Sequence, residues 1–287
     1  MGGRVYRDAM RVAYQGEHGA FSETAARKLL GSDITGVPCH SFEEMFESVE
    51  RGDADCCLTP IENSLAGSIH RTYDLLLEST LTIVGETVLR IQHNLIAPPN
   101  VVLDQVRRVY SHPVALAQCT RFLREHPQME PTPVHDTAGA VRQVMERARP
   151  DEAAIASADA AEIYGGHSLA EGIEDHAQNF TRFLLLTPSD RSEAIVTRVP
   201  ERRWKTSIVF RASNRPGSLF HALGAFAMFN IDLSKIESRP VEGRPWEYSF
   251  YLDLIGRRDE PLIARALDNL TQMAEMVRVL GSYPTRW

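Results

Sequence analysis

The chain has 287 residues, 43% hydrophobic and 24% charged, with a formal net charge of −7; that length accommodates about two domains with a substantial buried core. Its basic residues are scattered, so no stripe of Lys and Arg is available to neutralise a nucleic-acid backbone, and that partner class is excluded. No apolar run approaches the roughly 18 residues of a membrane span, and the opening Met-Gly-Gly-Arg-Val-Tyr-Arg-Asp has no apolar core, which makes the cytoplasm the default location and leaves no membrane partner.

In chain order, Arg11 to Tyr14 reads as a strand and Phe21 to Leu30 as a helix. Gly36 to Pro38 is extended, and Phe42 to Glu50 is helical. A short apolar strand, Ala54 to Leu58, is followed by polar residues and a helix from about Gly67 to Glu78. Leu81 to Ala97 is β-rich and closed by Pro98-Pro99-Asn100. A second alternating block follows: strand Val106–Tyr110, helix Val114–Glu125, a strand near Val134, helix Ala138–Ala148, strand Ala153–Ala156 and helix Ala158–Tyr164. Phe180 to Leu186 is a further strand. Such alternation implies mostly parallel, helix-covered sheets. The chain is expected to cross once near residue 91 and return after residue 168, leaving two lobes and a cleft. Pro188 to Arg203 reads as a linker. Beyond it come strand Trp204–Ala212, helix Gly217–Phe229, strands Ile231–Ser238 and Trp246–Ile255, helix Pro261–Met273 and strand Met276–Leu280. This βαββαβ order is ferredoxin-like.

Four segments carry chemistry. Tyr14-Gln15-Gly16-Glu17-His18-Gly19-Ala20-Phe21-Ser22 places two glycines between a strand and a helix. Backbone N–H groups can approach a ligand there and Ser22 can cap the helix, although an ordinary βα turn reads the same way. In Thr59 to His70, Glu62, Asn63 and Ser64 follow a strand and precede an expected helix N-terminus, where an anion can be received; a solvated loop with a cap is the even alternative. Tyr110-Ser111-His112-Pro113 ends a strand, so Ser111 or His112 faces the cleft, while Ser111 is equally explained as a cap before a Pro-started helix. In Asn179-Phe180-Thr181-Arg182-Phe183, alternation puts Thr181 and Phe183 on one strand face and Arg182 on the other. Cys39, Cys56, Cys57 and Cys119 lack metal-ligand spacing and are expected to be buried free thiols.

Taken in order and at their spacing, these segments resemble the prephenate dehydratase family, which includes the arogenate dehydratases, over about residues 11–284. Asn214-Arg215-Pro216-Gly217-Ser218-Leu219 and Ile236-Glu237-Ser238-Arg239-Pro240 likewise resemble the two ligand motifs of the ACT regulatory domain. One departure is Val114, where the family usually carries Gln after Ser-His-Pro.

The resemblance implies a two-lobed, periplasmic-binding-protein-like catalytic domain over 10–188, with lobe one at about 10–90 and 168–188 and lobe two at about 91–167. It implies a linker over 189–203 and an α+β ACT domain over 204–284. The implied reaction is loss of water and carbon dioxide from prephenate to give phenylpyruvate, without metal or organic cofactor. Thr181 stands at the family's essential hydroxyl, a hydrogen-bond donor to the leaving oxygen. Ser22, Asn63, Ser64 and the Gly19–Ala20 backbone hold the carboxylates, with Phe21, Glu62, Ser111 and Asn179 in the same substrate site. Arg182 braces it from below and Phe183 walls it against the ring. In the ACT domain, Asn214, Pro216, Gly217, Ser218, Leu219, Glu237, Ser238 and Arg239 are implied to bind phenylalanine as effector, Glu237 pairing with its ammonium. Glu237 and Arg239 can alternatively form a plain surface pair. A homodimer or homotetramer is the expected assembly. Arogenate as substrate, giving phenylalanine directly, stays open, as does a non-catalytic amino-acid sensor.

Overall fold

The computed structural model describes residues 9–196, 198–199 and 203–285. The opening eight residues, on which the expected location rested, and positions 197 and 200–202 of the expected linker lie outside the described residues.

The first half of the chain builds strand β1 (Met10–Gln15), helix α1 (Phe21–Leu30), β2 (Ile34–Cys39), α2 (Phe42–Glu50), β3 (Cys56–Asn63), β4 (Gly67–Ser68), α3 (His70–Glu78) and β5 (Thr82–Arg90). A second group follows: β6 (Asn94–Ala97), β7 (Arg108–Ser111), α4 (Pro113–Ala117), α5 (Thr120–Glu125), β8 (Glu130–Pro133), α6 (Thr137–Arg147), β9 (Glu152–Ala156), α7 (Ala158–Tyr164) and β10 (His167–Ala170). The chain then returns as β11 (Phe180–Thr187) and continues through α8 (Ser192–Val196). The last elements are β12 (Arg203–Arg211), α9 (Ser218–Ala227), β13 (Leu233–Val241), β14 (Arg244–Ile255), α10 (Pro261–Met273) and β15 (Met276–Thr285).

Three sheets result. The first runs β2-β1-β3-β11-β5, with β4 paired to β3. The second runs β10-β6-β9-β7-β8 and is mixed: β7 is parallel to β8 and β9, while β6 is antiparallel to β9 and β10. The third, β13-β14-β12-β15, is wholly antiparallel. The chain forms two compact units, one of residues through Ile69 with Val88–Phe183, the other of His70–Thr87 with Leu184 onward. In the first unit, Tyr14, Ile96, Val141, Val144 and Ala154 share one core, and Leu95, Val106, Val109 and Ile155 form another on the opposite face of the second sheet. In the second unit, Phe210, Phe226, Leu252, Leu254 and Leu270 pack between the third sheet and its two helices. All four cysteines are buried free thiols, as the spacing suggested.

Local chemistry sets several boundaries. The Ser41 hydroxyl accepts from the Glu44 N–H to start α2, Asp136 does the same for α6 through Gly139, and Ser157 for α7 through Ala160. Elsewhere the structure departs from the pattern. The expected helix Val114–Glu125 is broken in two, because the Asp175 N–H donates to the Gln118 carbonyl at 2.7 Å and occupies an oxygen that a continuous helix would use. The Asp175 carboxylate then caps α5, accepting from the N–H groups of Thr120 and Arg121. β3 runs on to Asn63 instead of ending at Leu58, and β4 precedes α3. β10 carries no strong strand signal and was not expected. Within the linker, α8 forms and buries Ile195.

Candidate active site

A cavity of about 540 Å³ opens between the first and second sheets, entirely within the first compact unit. The carboxyl ends of β1 and β3, the start of α1, the β7–α4 turn and β11 contribute its lining. Of the expected substrate residues, Ala20, Phe21, Ser22, Asn63, Thr181 and Phe183 line it. The pleat of β11 does the selecting at one wall: Thr181 and Phe183 face the cavity and are buried, whereas Arg182 does not line it.

Asn63 is the organising side chain. Its amide nitrogen donates to Thr181 Oγ1 at 2.9 Å and to Asn179 Oδ1 at 2.8 Å. Its Oδ1 accepts from the N–H groups of Leu65 and Ala66 at 3.0 and 2.8 Å, and from Gln118 Nε2 at a longer 3.4 Å. Because Thr181 Oγ1 already accepts from Asn63, its own proton is left to donate. Asn179 is fully buried behind this pair and does not touch the cavity; its Nδ2 donates to Gln118 Oε1 at 2.9 Å.

Other expected residues are elsewhere. Ser64 is a clasp between strands: its hydroxyl donates to the Gln178 carbonyl and accepts from the Phe180 N–H, both at 2.9 Å. Glu62 is paired across the β3–β4 hairpin opposite Ser68 and does not line the cavity. The expected anion cradle of Glu62, Asn63 and Ser64 therefore reduces to Asn63, since β3 runs on to Asn63 and its alternation turns Asn63 but not Glu62 inward, while Ser64, just past the strand, is taken up by Gln178 and Phe180. The expected helix N-terminus directly after them is replaced by that hairpin, sealed by the Ile69 N–H donating to the Ile61 carbonyl at 2.9 Å. Ser111 is wholly buried with its hydroxyl on the Ile155 carbonyl at 2.6 Å; the neighbouring His112 faces the cavity and caps α4.

The Gly19–Ala20 backbone is likewise already engaged. The Gly19 N–H donates to Glu23 Oε2 at 2.9 Å, and the Ala20 N–H to the Glu17 carbonyl at 3.0 Å. Gly19 has φ +85°, and a Cβ there would meet the Ala160 Cα at 2.7 Å, so this glycine permits close approach of the two lobes. The Ser157 hydroxyl reinforces that approach by donating to the Gly19 carbonyl at 2.6 Å. Ser22 lies inside α1, whose N-cap is Ala20. The first N–H groups of a helix have no partner within it, so the opening turn of α1 at the cavity remains an anion-accepting element.

Gln118, His93 and Glu43, which the sequence did not point to, complete the site together with His112, the alternative to Ser111. All four line the cavity, and no lysine or arginine is among its described lining residues. Buried Glu23 accepts from the Tyr14 hydroxyl at 2.9 Å and from Arg27 Nη2 at 2.7 Å. Burial pushes its carboxyl up, but the Gly19 N–H, Arg27 and Tyr14 outweigh this and hold it below the ordinary range. Burial lowers His93, with Gln118 and Glu174 opposing; burial and then His135 lower His112. Among the described residues no His, Cys, Asp and Glu cluster is arranged to hold a metal ion.

The expected effector residues divide between two faces. Gly217, at φ +84°, is the N-cap of α9, with Asn214 and Pro216 exposed beside it and Ser218 and Leu219 opening the helix. On β13, Ser238 alternates with Glu237 and Arg239, which lie on the opposite side of the strand. Arg239 forms a bidentate pair with Asp74 of α3, Nε to Oδ1 at 3.2 Å and Nη2 to Oδ2 at 3.0 Å. Glu237 stands 3.7 Å from Lys235 and 3.8 Å from His70. The alternative of a Glu237–Arg239 pair is thus corrected.

A two-lobed α/β unit with a mostly apolar cavity carrying a few convergent polar groups between its sheets, joined in one chain to a ferredoxin-like βαββαβ unit, defines a small-molecule enzyme carrying a regulatory module. The family model "Prephenate dehydratase" matches residues 12–191, and "ACT domain" matches 206–272. The chain belongs to the prephenate dehydratase family of lyases. It is 45% identical to "Arogenate dehydratase/prephenate dehydratase 2, chloroplastic" of Arabidopsis thaliana, over 96% of this chain and 73% of that protein. Among solved structures it resembles a prephenate dehydratase in complex with L-Phe from Arthrobacter aurescens, at 33% identity and TM-score 0.85, covering 96% and 90% of the two chains. It also resembles a protein titled "GqqA- a novel type of quorum quenching acylases", at 35% identity and TM-score 0.84, covering 96% and 98%. The plastid naming of the Arabidopsis relative overturns the cytoplasmic default.

Proposed function

We propose that this protein converts prephenate to phenylpyruvate in the supply of phenylalanine, with residues 10–188 catalysing, 189–203 linking and 204–284 regulating. The single observation that carries the assignment is the Asn63–Thr181 hydrogen bond of 2.9 Å at the cavity wall. Asn63 fills an acceptor position of the Thr181 oxygen and turns its O–H toward the leaving ring hydroxyl. A threonine hydroxyl is a very weak acid, so it stabilises the departing oxygen by donating a hydrogen bond while a proton from water completes the water that leaves. The ring carboxylate departs as carbon dioxide and its bonding electrons enter the aromatising ring. Phe183 supplies the apolar wall, and the start of α1 with Ser22 receives a carboxylate.

A second reading, arogenate as substrate, is supported by the naming of the Arabidopsis relative, which includes both activities. Phenylalanine is the effector in our reading, bound at the Gly217–Leu219 turn and Ser238, and closed two-fold self-association is the assembly. The test is turnover by the purified protein with prephenate and with arogenate in parallel. Phenylpyruvate from prephenate supports the first reading, and phenylalanine from arogenate alone supports the second. Turnover of neither, with phenylalanine still bound, overturns both in favour of a sensor.

A further inference from the structure

His93 sits on the segment between β5 and β6, where the chain first crosses from one lobe to the other. It is tied to the return crossing: its N–H donates to Glu174 Oε2 at 2.9 Å, and its carbonyl accepts from the Ile173 N–H at 2.9 Å. The residue lines the cavity although only 2% exposed, with its ring set edge-on to Phe21 at 5.5 Å between centroids. Its Nε2 lies 3.0 Å from Gln118 Oε1, and its Nδ1 is buried with no hydrogen-bond partner among the described residues.

Following donors and acceptors from this point gives one consistent direction. Gln118 Oε1 already accepts from Asn179 Nδ2 at 2.9 Å, so it faces His93 as an acceptor and requires Nε2–H. Gln118 then presents its own N–H to Asn63 Oδ1, and Asn63 presents its N–H groups to Asn179 Oδ1 and Thr181 Oγ1. With the proton on Nδ1 instead, the His93 lone pair would oppose Gln118 Oε1. Rotating the Gln118 amide to relieve that contact would set its oxygen against Asn63 Oδ1.

We propose that His93 is a positioning residue whose Nε2–H holds the Gln118 amide in the orientation in which its N–H joins those of Leu65 and Ala66 on Asn63 Oδ1, steadying the Asn63 amide that aims the Thr181 proton into the cavity. The inference rests on the assignment of Thr181 above. It goes further in tying the hinge between the lobes to the orientation of the reacting donor, and it leaves Nδ1 without a partner as the mark of a ring held for one nitrogen.

The test compares His93→Phe, which keeps an aromatic ring without the donor, with His93→Gln, which restores an N–H donor. Expected for His93→Phe is a fall in kcat of about 10–100-fold with KM changed less than about threefold, and partial recovery in His93→Gln. Adding Gln118→Met to His93→Phe should cost little more than either change alone. Wild-type kcat in His93→Phe, or additive losses in the double variant, overturns the inference. Should His93→Phe fail to fold, ¹⁵N-histidine spectra of the unsubstituted protein decide: a proton on Nε2 is expected, and one on Nδ1 overturns it. An active His93→Phe beside an inactive Thr181→Val sinks this inference alone, whereas an active Thr181→Val sinks the functional reading itself.

Discussion

Replacing Thr181 with valine removes one hydroxyl and keeps the shape of the side chain. The structural cost is small because the Asn63 amide retains Asn179 at 2.8 Å when it loses Thr181. One unmade hydrogen bond at a site already partly satisfied costs about 1 kcal/mol, and in a chain of this size Tm falls by about 2–4 °C. The catalytic cost is larger. Removing a donor aimed at developing negative charge typically lowers kcat by about 10²–10³-fold, or about 2.7–4 kcal/mol of barrier. The assay is phenylpyruvate formation read as its enolate absorbance in alkali, with kcat and KM separated. Thr181→Ser, which keeps the donor, is expected to retain most of the turnover. A Thr181→Val enzyme with kcat within about threefold of the parent would refute the reasoning, since the hydroxyl could then not be the donor to the leaving oxygen.

Lys205→Met removes the ammonium that stands 2.7 Å from the buried Glu86 carboxylate, and the Thr285 hydroxyl that also donates to it carries no charge; denaturant unfolding should show a loss of about 3–5 kcal/mol, most of it recovered by adding Glu86→Gln. Acid should destabilise the protein through Glu23: its folded carboxyl lies below the ordinary 4.5, so the unfolded chain binds more protons as pH drops. That contribution is complete above the unfolded value and lost as pH falls through the folded one; Glu23→Gln should flatten the acid limb of a pH–Tm series, and an unchanged slope contradicts it. Arg239→Lys keeps the charge but loses the two-pronged grip on Asp74. Calorimetry should show phenylalanine still binding, while its effect on turnover weakens at least about fivefold; an undiminished effect excludes the Arg239–Asp74 contact from the response.

Which segments form the site was legible in the sequence, but in two of them which residue faces inward was not. Glu62, Asn63 and Ser64 are adjacent and all polar, and the phase of β3 separates Asn63 from Glu62 while the contacts of Ser64 with Gln178 and Phe180 take it away from the site. That phase was hidden because an apolar run ending at Leu58 does not reveal that the strand continues through polar residues. The same one-residue ambiguity placed Ser111 where His112 stands. Gln118 was obscured differently: its orientation follows from the helix break made by Asp175, a contact 57 positions away that no local pattern encodes. Thr181 and Phe183 were readable because the first four residues of β11, Phe180 to Phe183, alternate between its two faces. The regulatory unit was legible as βαββαβ because each element has its own period and clear turns, whereas the grip of Arg239 on α3 depends on tertiary placement alone.

The four buried thiols give the protein a built-in clock for its own opening. Burial raises Cys39, Cys57 and Cys119 away from the reactive thiolate, so a disulfide reagent added to the native protein has almost nothing to attack. Cys39, Cys56 and Cys57 belong to β2 and β3 of the first sheet, while Cys119 sits between α4 and α5 beside the second. Labelling followed by mass spectrometry can therefore time the exposure of each lobe separately, using no introduced probe, and show whether bound substrate slows one lobe or both.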